Sequence, residues 1–302
     1  MTTVIEAQHL HKRYGDVTAV TDVSFTVEAG EIFGILGPNG AGKTTTIECL
    51  QGIRTPDDGS MRVLGLDPLT QIKQLRRRIG TQFQQSALPD RMRVIEALEL
   101  FAAFASHPIP PSDLIEQWGL TTRRNAAFGD LSGGQRQRLF IALAFINDPE
   151  VVFLDELTQG LDPQARRATW ELIRDIRARG KTVVLVTHFM DEAEELCDRL
   201  AIIDKGRVVA LDTPQGLIGN LDIPVRVHFT TEAPELPPLD SIPQVTTVER
   251  HGAKVTVTGM GPVLALVAAA LVEHGILPDD LRAERPTLED AFIALTGRTL
   301  RE

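Results

Sequence analysis

Cysteine is nearly missing from this chain: its 302 residues hold two, Cys49 and Cys197. Both fall in stretches that read as helices, which argues against a structural disulfide and fits a reducing cytoplasm. Aromatics are scarce at 5%, with a single tyrosine. No signal segment with charged, apolar and small-residue regions opens the chain. The longest apolar run, VLALVAAALV at 263–272, is about half of the roughly 20 residues a spanning helix needs. Membrane association is therefore expected only through a partner. A concentrated basic face is also lacking, because the formal net charge is −10 and arginines are scattered in short groups such as Arg76 to Arg78 and Arg123 to Arg124. That argues against a nucleic-acid partner. The length and the 43% hydrophobic content are ample for two packed domains.

Glycine is placed where it does chemistry. Residues 37–45 read GPNGAGKTT, in which Gly37, Gly42, Lys43 and Thr44 match the G-x-x-x-x-G-K-[ST] phosphate loop. Glycines there let consecutive backbone N–H groups curl round a β-phosphate. Pro38, Asn39, Gly40 and Ala41 complete the loop, and Thr45 follows in the first turn of a helix. Lys43 is placed to reach β- and γ-oxygens and the Thr44 hydroxyl to bind Mg²⁺. The context agrees: EIFGIL is an apolar run of strand length, and KTTTIECLQG begins a helix whose N-terminus favours anions.

Downstream, VVFLDE (Val151 to Glu156) is an apolar run ending in two carboxylates, the pattern of a buried parallel strand that delivers acids to the carboxyl edge of a sheet. Asp155 fits a Mg²⁺-associated acid. Glu156, pointing elsewhere, is suited to polarise an attacking water. Between these sites lies LSGGQ (131–135), where Ser132 serves as N-cap and Gln135 falls at the third helical position, the spacing of a capping box. Gly133 and Gly134 each weaken that helix by about 1 kcal/mol relative to alanine. They are explained if something approaches the first-turn amides closely.

With these motifs in this order the chain resembles the nucleotide-binding subunits of ABC transporters, over residues 1 to about 218. The resemblance implies a phosphate-loop ATPase fold of mixed α/β type with an antiparallel β subdomain, and a helical subdomain over about 85–147. It also implies a head-to-tail dimer, of two copies of this chain or of one with a related ATPase subunit, with ATP between the phosphate loop of one and Ser132, Gly133, Gly134 and Gln135 of the other. By the same resemblance Tyr14 stacks on adenine and His188, ending TVVLVTH, contacts the γ-phosphate. Gln84 senses γ-phosphate and Mg²⁺ and couples to a membrane permease, with Gln82 and Gln85 competing for its register. Asp162 belongs to the dimer-interface loop, and is equally the N-cap before Pro163. Leu157 departs from the proline common in the family, giving DELTQG, and no proline precedes Gln84.

Strands are expected in the first thirty residues, at 150–154, at 182–187 and in RLAIID/RVVALD, with helices at 163–179 and 190–198. Beyond Gly219 the character changes to strands VRVHFT, TTVERHG and KVTVTG followed by helices near 262–274 and 287–297. Residues 219–302 thus read as a small α+β domain. Its end, RPTLEDAFIALTGR, resembles the tail of efflux-type ATPase subunits and implies export and a part in dimer stabilisation. The expected activity is Mg²⁺-dependent hydrolysis of ATP, coupled to a separate integral membrane permease at the cytoplasmic face of the membrane. Two alternatives stay open: a soluble ATPase switch acting on a non-membrane partner, and a nucleotide-gated scaffold in which Glu156 is idle.

Overall fold

The computed structural model describes residues 2–83, 87–219 and 223–297. The chain forms two compact units, divided between Pro214 and Gln215.

In the first unit, β1 (Thr3–Tyr14) and β2 (Val17–Glu28) form a long antiparallel hairpin turning at Gly15 and Asp16. Val23, Phe25 and Val27 alternate into the core along β2, as a half-buried strand requires. Next come β3 (Ile32–Leu36), α1 (Lys43–Leu50), β4 (Asp58–Val63), the short α2 (Ile72–Leu75) and β5 (Ile79–Gln82). Three helices follow, α3 (Val94–Phe104), α4 (Pro111–Gln117) and α5 (Gly133–Ala144). Alternation then resumes through β6 (Val151–Asp155), α6 (Pro163–Ala178), β7 (Thr182–Thr187), α7 (Met190–Leu196), β8 (Arg199–Asp204) and β9 (Arg207–Asp212).

These nine strands form one sheet in the order β4-β1-β2-β9-β8-β3-β7-β6-β5. Its centre is parallel, and every residue of β3, β6 and β7 is buried. Strands covered on both faces are apolar throughout, which is why IFGIL, VVFLD and TVVLVT lack a polar alternation. Phe25 and Phe33 stack at 5.2 Å between ring centroids in the core under the sheet. The helical segment has its own apolar contacts, with Trp118 against Phe145 and Leu98, Leu114 and Leu139 fully buried.

Two strands of this sheet were not anticipated. β4, DGSMRV, buries only Met61 and Val63 and owes its extended form to pairing with β1. β5 has four residues, too few for a period to show, and is held by β6.

The helix α8 (Pro214–Gly219) spans the division between the units. The second unit holds β10 (Val225–Thr230), β11 (Val245–His251), β12 (Lys254–Gly259), α9 (Val263–Glu273), β13 (Arg282–Glu284) and α10 (Leu288–Thr296). Its antiparallel sheet runs β11-β12-β10-β13. Val227, Phe229, Val255 and Val257 pack against Val263, Val267 and Leu271 of α9. Burying side chains of this size contributes about 1.5 to 3 kcal/mol each. The run 263–272 is thus a helix buried along one stripe. Among the described residues no helix is long and apolar enough to cross a membrane.

Candidate functional site

Because β3, β7 and β6 are sheet neighbours in parallel register, their carboxyl ends lie side by side, with Leu36 opposite Thr187 and Val186 opposite Asp155. The segments that leave those ends carry the loop 37–42, His188 and Glu156. A crevice beyond the carboxyl ends of parallel strands is the usual ligand position in open α/β sheets.

The phosphate loop is fixed from outside. A Cβ on Gly37 would sit 2.2 Å from the Ile203 carbonyl oxygen, and one on Gly42, whose φ is +101°, 2.3 Å from that of Ala19. No side chain fits at either place. The Ala41 carbonyl accepts from Gly206 N–H at 2.9 Å, and the Gly206 carbonyl from Thr21 and Asp22, so the β8–β9 turn ties the loop to β2. Asn39, Gly40 and Thr44 remain exposed and Thr45 half-buried, while Pro38 and Ala41 are buried. The first α1 amide bonded back within the helix is Thr46 N–H, to Gly42. The amides before it are those that a helix start offers to an anion.

Lys43 is 5% exposed, and its Nζ donates to the Gly37 and Pro38 carbonyls at 2.8 and 2.9 Å. Its third hydrogen is left for an anion. Burial pulls its pKa below the usual lysine value, and the charges of Glu156 and Asp155 oppose that. Asp155 is 6% exposed. Burial, and next the Glu156 charge, push its pKa up to about 6 against the pull of Lys43 and Thr44. The Thr44 hydroxyl lies 3.5 Å from Asp155 Oδ2, and Oδ1 is buried with no hydrogen-bond partner. An orphaned, desolvated carboxylate beside a hydroxyl and a lysine fits a hard divalent cation shared with phosphates, as Mg²⁺ is usually held.

Glu156 has φ +48°, uncommon for a residue with a side chain and typical of functional sites. Its N–H bonds to the Val186 carbonyl at 2.9 Å, and its side chain is 6% exposed, with Oε1 3.1 Å from His188 Nδ1. The His188 ring packs on Phe189, which Arg166 covers with its guanidinium 4.5 Å from the ring centre. Leu157 is buried. Tyr14, at the tip of β1, is 39% exposed and flanked by Lys12 and Arg54. Gln84, and with it Gln85, lies outside the described residues; Gln82 is buried and donates to the Phe83 carbonyl.

The second glycine-rich helix start is also complete. Ser132 caps α5, its Oγ accepting from Gln135 N–H at 3.4 Å while Gln135 Oε1 accepts from Ser132 N–H at 3.1 Å. Asp162 caps α6, accepting from Gln164 and Ala165 N–H at 3.0 and 2.9 Å. Both caps open on a groove of about 320 Å³ lined by Ser132, Gly134, Gln135, Arg138 and Asp162 among others. No phosphate-loop residue lines it. A Cβ on Gly133 or Gly134 would meet only Leu161 or Ala165, at 3.6 and 3.5 Å. Packing within the chain does not demand glycine there.

Two features escaped the sequence. Gly206 reads as an ordinary hairpin glycine, and its bond to Ala41 exists only in three dimensions. Glu192 sits in the acidic run MDEAEEL and looks solvated. Its one signal is that it shares a helix face with Ala193 and Leu196, both buried.

A sequence model of the ABC transporter family matches residues 20–159. Nod factor export ATP-binding protein I of Ralstonia nicotianae is 38% identical to this chain over 309 residues, covering 100% of it and 96% of the relative. The protein of the same name from Mesorhizobium japonicum is 37% identical, covering 100% and 89%. Among solved structures, an ATP-binding subunit of an ABC transporter aligns with TM-score 0.64 and 29% identity over 72% of this chain and 92% of its own. A dimeric ATP-binding cassette in a post-hydrolysis state with ADP and Pi aligns with TM-score 0.63 and 25% identity over 69% and 98%. The fold is accordingly the ABC type of phosphate-loop ATPase, and the chain belongs to the family of ABC transporter ATP-binding proteins.

Proposed function

We propose that this chain hydrolyses ATP to ADP and phosphate as the energising subunit of an exporter, as a dimer in which each nucleotide is clamped between two copies. One observation carries the proposal: both glycine-rich helix starts are fully built, yet within one chain they open in separate places. A nucleotide touching both needs a second copy. Residues 1–218 would form the ATP-binding domain and 219–302 an accessory domain that steadies the dimer.

Phosphoryl transfer is mostly positioning and charge stabilisation. Lys43 and the loop amides hold the β- and γ-phosphates, and Tyr14 stacks on the adenine. Glu156 orients or deprotonates the attacking water, and His188 holds the γ-phosphate. Asp155 and Thr44, with Gln84, would hold Mg²⁺, whose chemistry is to neutralise charge on the phosphate oxygens. Ser132 and Gly134 of the second copy complete the site. Losing one well-placed donor costs about 3 kcal/mol, on the order of a hundredfold in rate, so dimer closure acts as a switch.

A membrane permease as partner is supported by an apolar groove of about 430 Å³ between the sheet and helical segments, lined by Ile53, Phe83, Phe101 and Phe104 among others. Phe104 is 84% exposed. Exposed aromatics grouped in a concavity mark protein contacts, and Phe83 of this groove directly precedes Gln84 in the sequence. The relatives' names place them in export, which favours an exporter at the cytoplasmic face of the membrane over a soluble switch. The test is steady-state phosphate release with ATP and Mg²⁺, run with light scattering. Turnover that rises with protein concentration is expected, and ATP bound without any phosphate release leaves only the scaffold alternative. Recovery from detergent extracts with no integral membrane protein bound would remove the permease.

A further inference from the structure

Glu192, on α7, is 0% exposed. A carboxyl group is almost never fully buried unless its neighbours compensate it. Among the described residues no cation pairs with it; Arg166 pairs instead with the adjacent Asp191. Its surroundings are hydrogen-bond donors. Trp170 Nε1, on α6, donates to Oε1 at 3.1 Å. The hydroxyls of Thr187 and Thr158 lie against the same carboxyl group, although neither Oε2 nor the Thr158 hydroxyl makes a bond of good geometry. The Thr187 hydroxyl already accepts from Phe189 N–H at 2.9 Å, which leaves its own hydrogen for the carboxylate.

The three partners come from three segments, two of which adjoin the proposed reaction centre. Thr187 ends β7 and immediately precedes His188. Thr158 lies two residues past Glu156. Trp170 belongs to the helix that the Asp162 loop begins. A helix packed only for stability would fill this place with an apolar side chain, because burying a carboxyl group costs more than burying a leucine of similar volume. Burial raises the Glu192 pKa towards the neutral acid, which both donates and accepts.

We infer that Glu192 is a positioning residue for hydrolysis: one buried carboxyl group, bonded to Trp170 and set against the Thr158 and Thr187 hydroxyls, sets the spacing of Glu156 and His188. The inference rests on the ATPase reading above. It assigns Glu192 no contact with nucleotide, so its loss is felt in turnover and not in binding.

The experiment measures phosphate release against ATP concentration, with nucleotide binding followed separately, for wild type, Glu192→Ala, Glu192→Gln and Thr158→Val. Glu192→Ala is expected to lower kcat at least about tenfold with KM for ATP within about threefold, since a displaced pair loses transition-state contacts and not ground-state ones. Glu192→Gln keeps the volume, an acceptor for Trp170 and a donor, and returns kcat to within about threefold of wild type. Thr158→Val removes one hydroxyl from the same cluster, and about a threefold or greater loss in kcat is expected with KM unchanged. A folded Glu192→Ala with wild-type kcat, or a Gln variant as slow as the Ala variant, overturns the inference. Should the Ala variant not fold, a Thr158→Val protein of wild-type kcat overturns it equally. A wild-type protein that binds ATP but releases no phosphate removes the hydrolysis reading itself, and this inference with it.

Discussion

His188 Nδ1 lies 3.1 Å from Glu156 Oε1, which joins the two residues whose roles at the γ-phosphate and the attacking water are proposed to be separate. With Nδ1–H donated to the carboxylate, Nε2 is the nitrogen left for phosphate, and it carries a hydrogen as well only in the imidazolium form. Glu156 therefore has two tasks, and its loss should be more severe than that of His188.

Glu156→Gln is expected to bind ATP normally and to lose at least about a hundredfold in kcat, accumulating an ATP-bound dimer visible by light scattering. His188→Ala should lose about tenfold to a hundredfold, also with binding retained. Wild-type turnover in Glu156→Gln would take that residue out of the mechanism.

Gly134→Ala separates stability from function. The added methyl group meets only the Ala165 side chain, at 3.5 Å, and alanine is the better helix former. The melting temperature of the isolated protein should therefore stay level or rise, with up to about 1 kcal/mol gained. ATP-driven dimerisation and turnover should nevertheless fall at least about tenfold, because the methyl would occupy the place proposed for the other copy's phosphate. Equal turnover in this variant would show that nothing approaches the LSGGQ turn.

Asp155 gives a pH dependence of known sign in protein free of nucleotide and metal. Its pKa of about 6 in the folded chain lies above the unfolded value of about 3.9. Between these pH values the folded state holds a proton that the unfolded state has lost, so stability falls as pH rises through the window. Above about pH 6 the whole penalty, about 2 to 3 kcal/mol, is in place. Asp155→Asn removes it. Urea unfolding in a chelator should find the variant the more stable protein at pH 7.5, with the difference closing towards pH 4. A difference that does not change with pH would contradict this origin. The same variant should lose ATP turnover.

Phe104→Ser tests the groove. At 84% exposure the ring contributes little to the fold, and the substitution should change stability by no more than about 0.5 kcal/mol and leave basal phosphate release intact. Recovery of the membrane partner from detergent extracts should drop severalfold. Undiminished recovery would place the docking surface elsewhere.

The motifs on which the proposed ATPase chemistry rests were legible in the sequence because they are local. A phosphate loop, a capping box and a strand ending in Asp-Glu each work through residues a few positions apart, and GPNGAGKTT, LSGGQ and VVFLDE signal them by spacing alone. Strands β3, β6 and β7 announced themselves as apolar runs for the same reason. Other features depended on partners distant in the chain. Strand order brings Glu156 to His188, the Ile203 and Ala19 carbonyls make Gly37 and Gly42 obligatory, and β4 and β5 are extended only because β1 and β6 pair with them. Glu192 looked like a surface acid until Trp170 and Thr187 closed round it. Sequence by itself determined which groups this protein carries; tertiary structure decided which of them meet, because hydrogen bonds and burial depend on separation in space and not on separation along the chain.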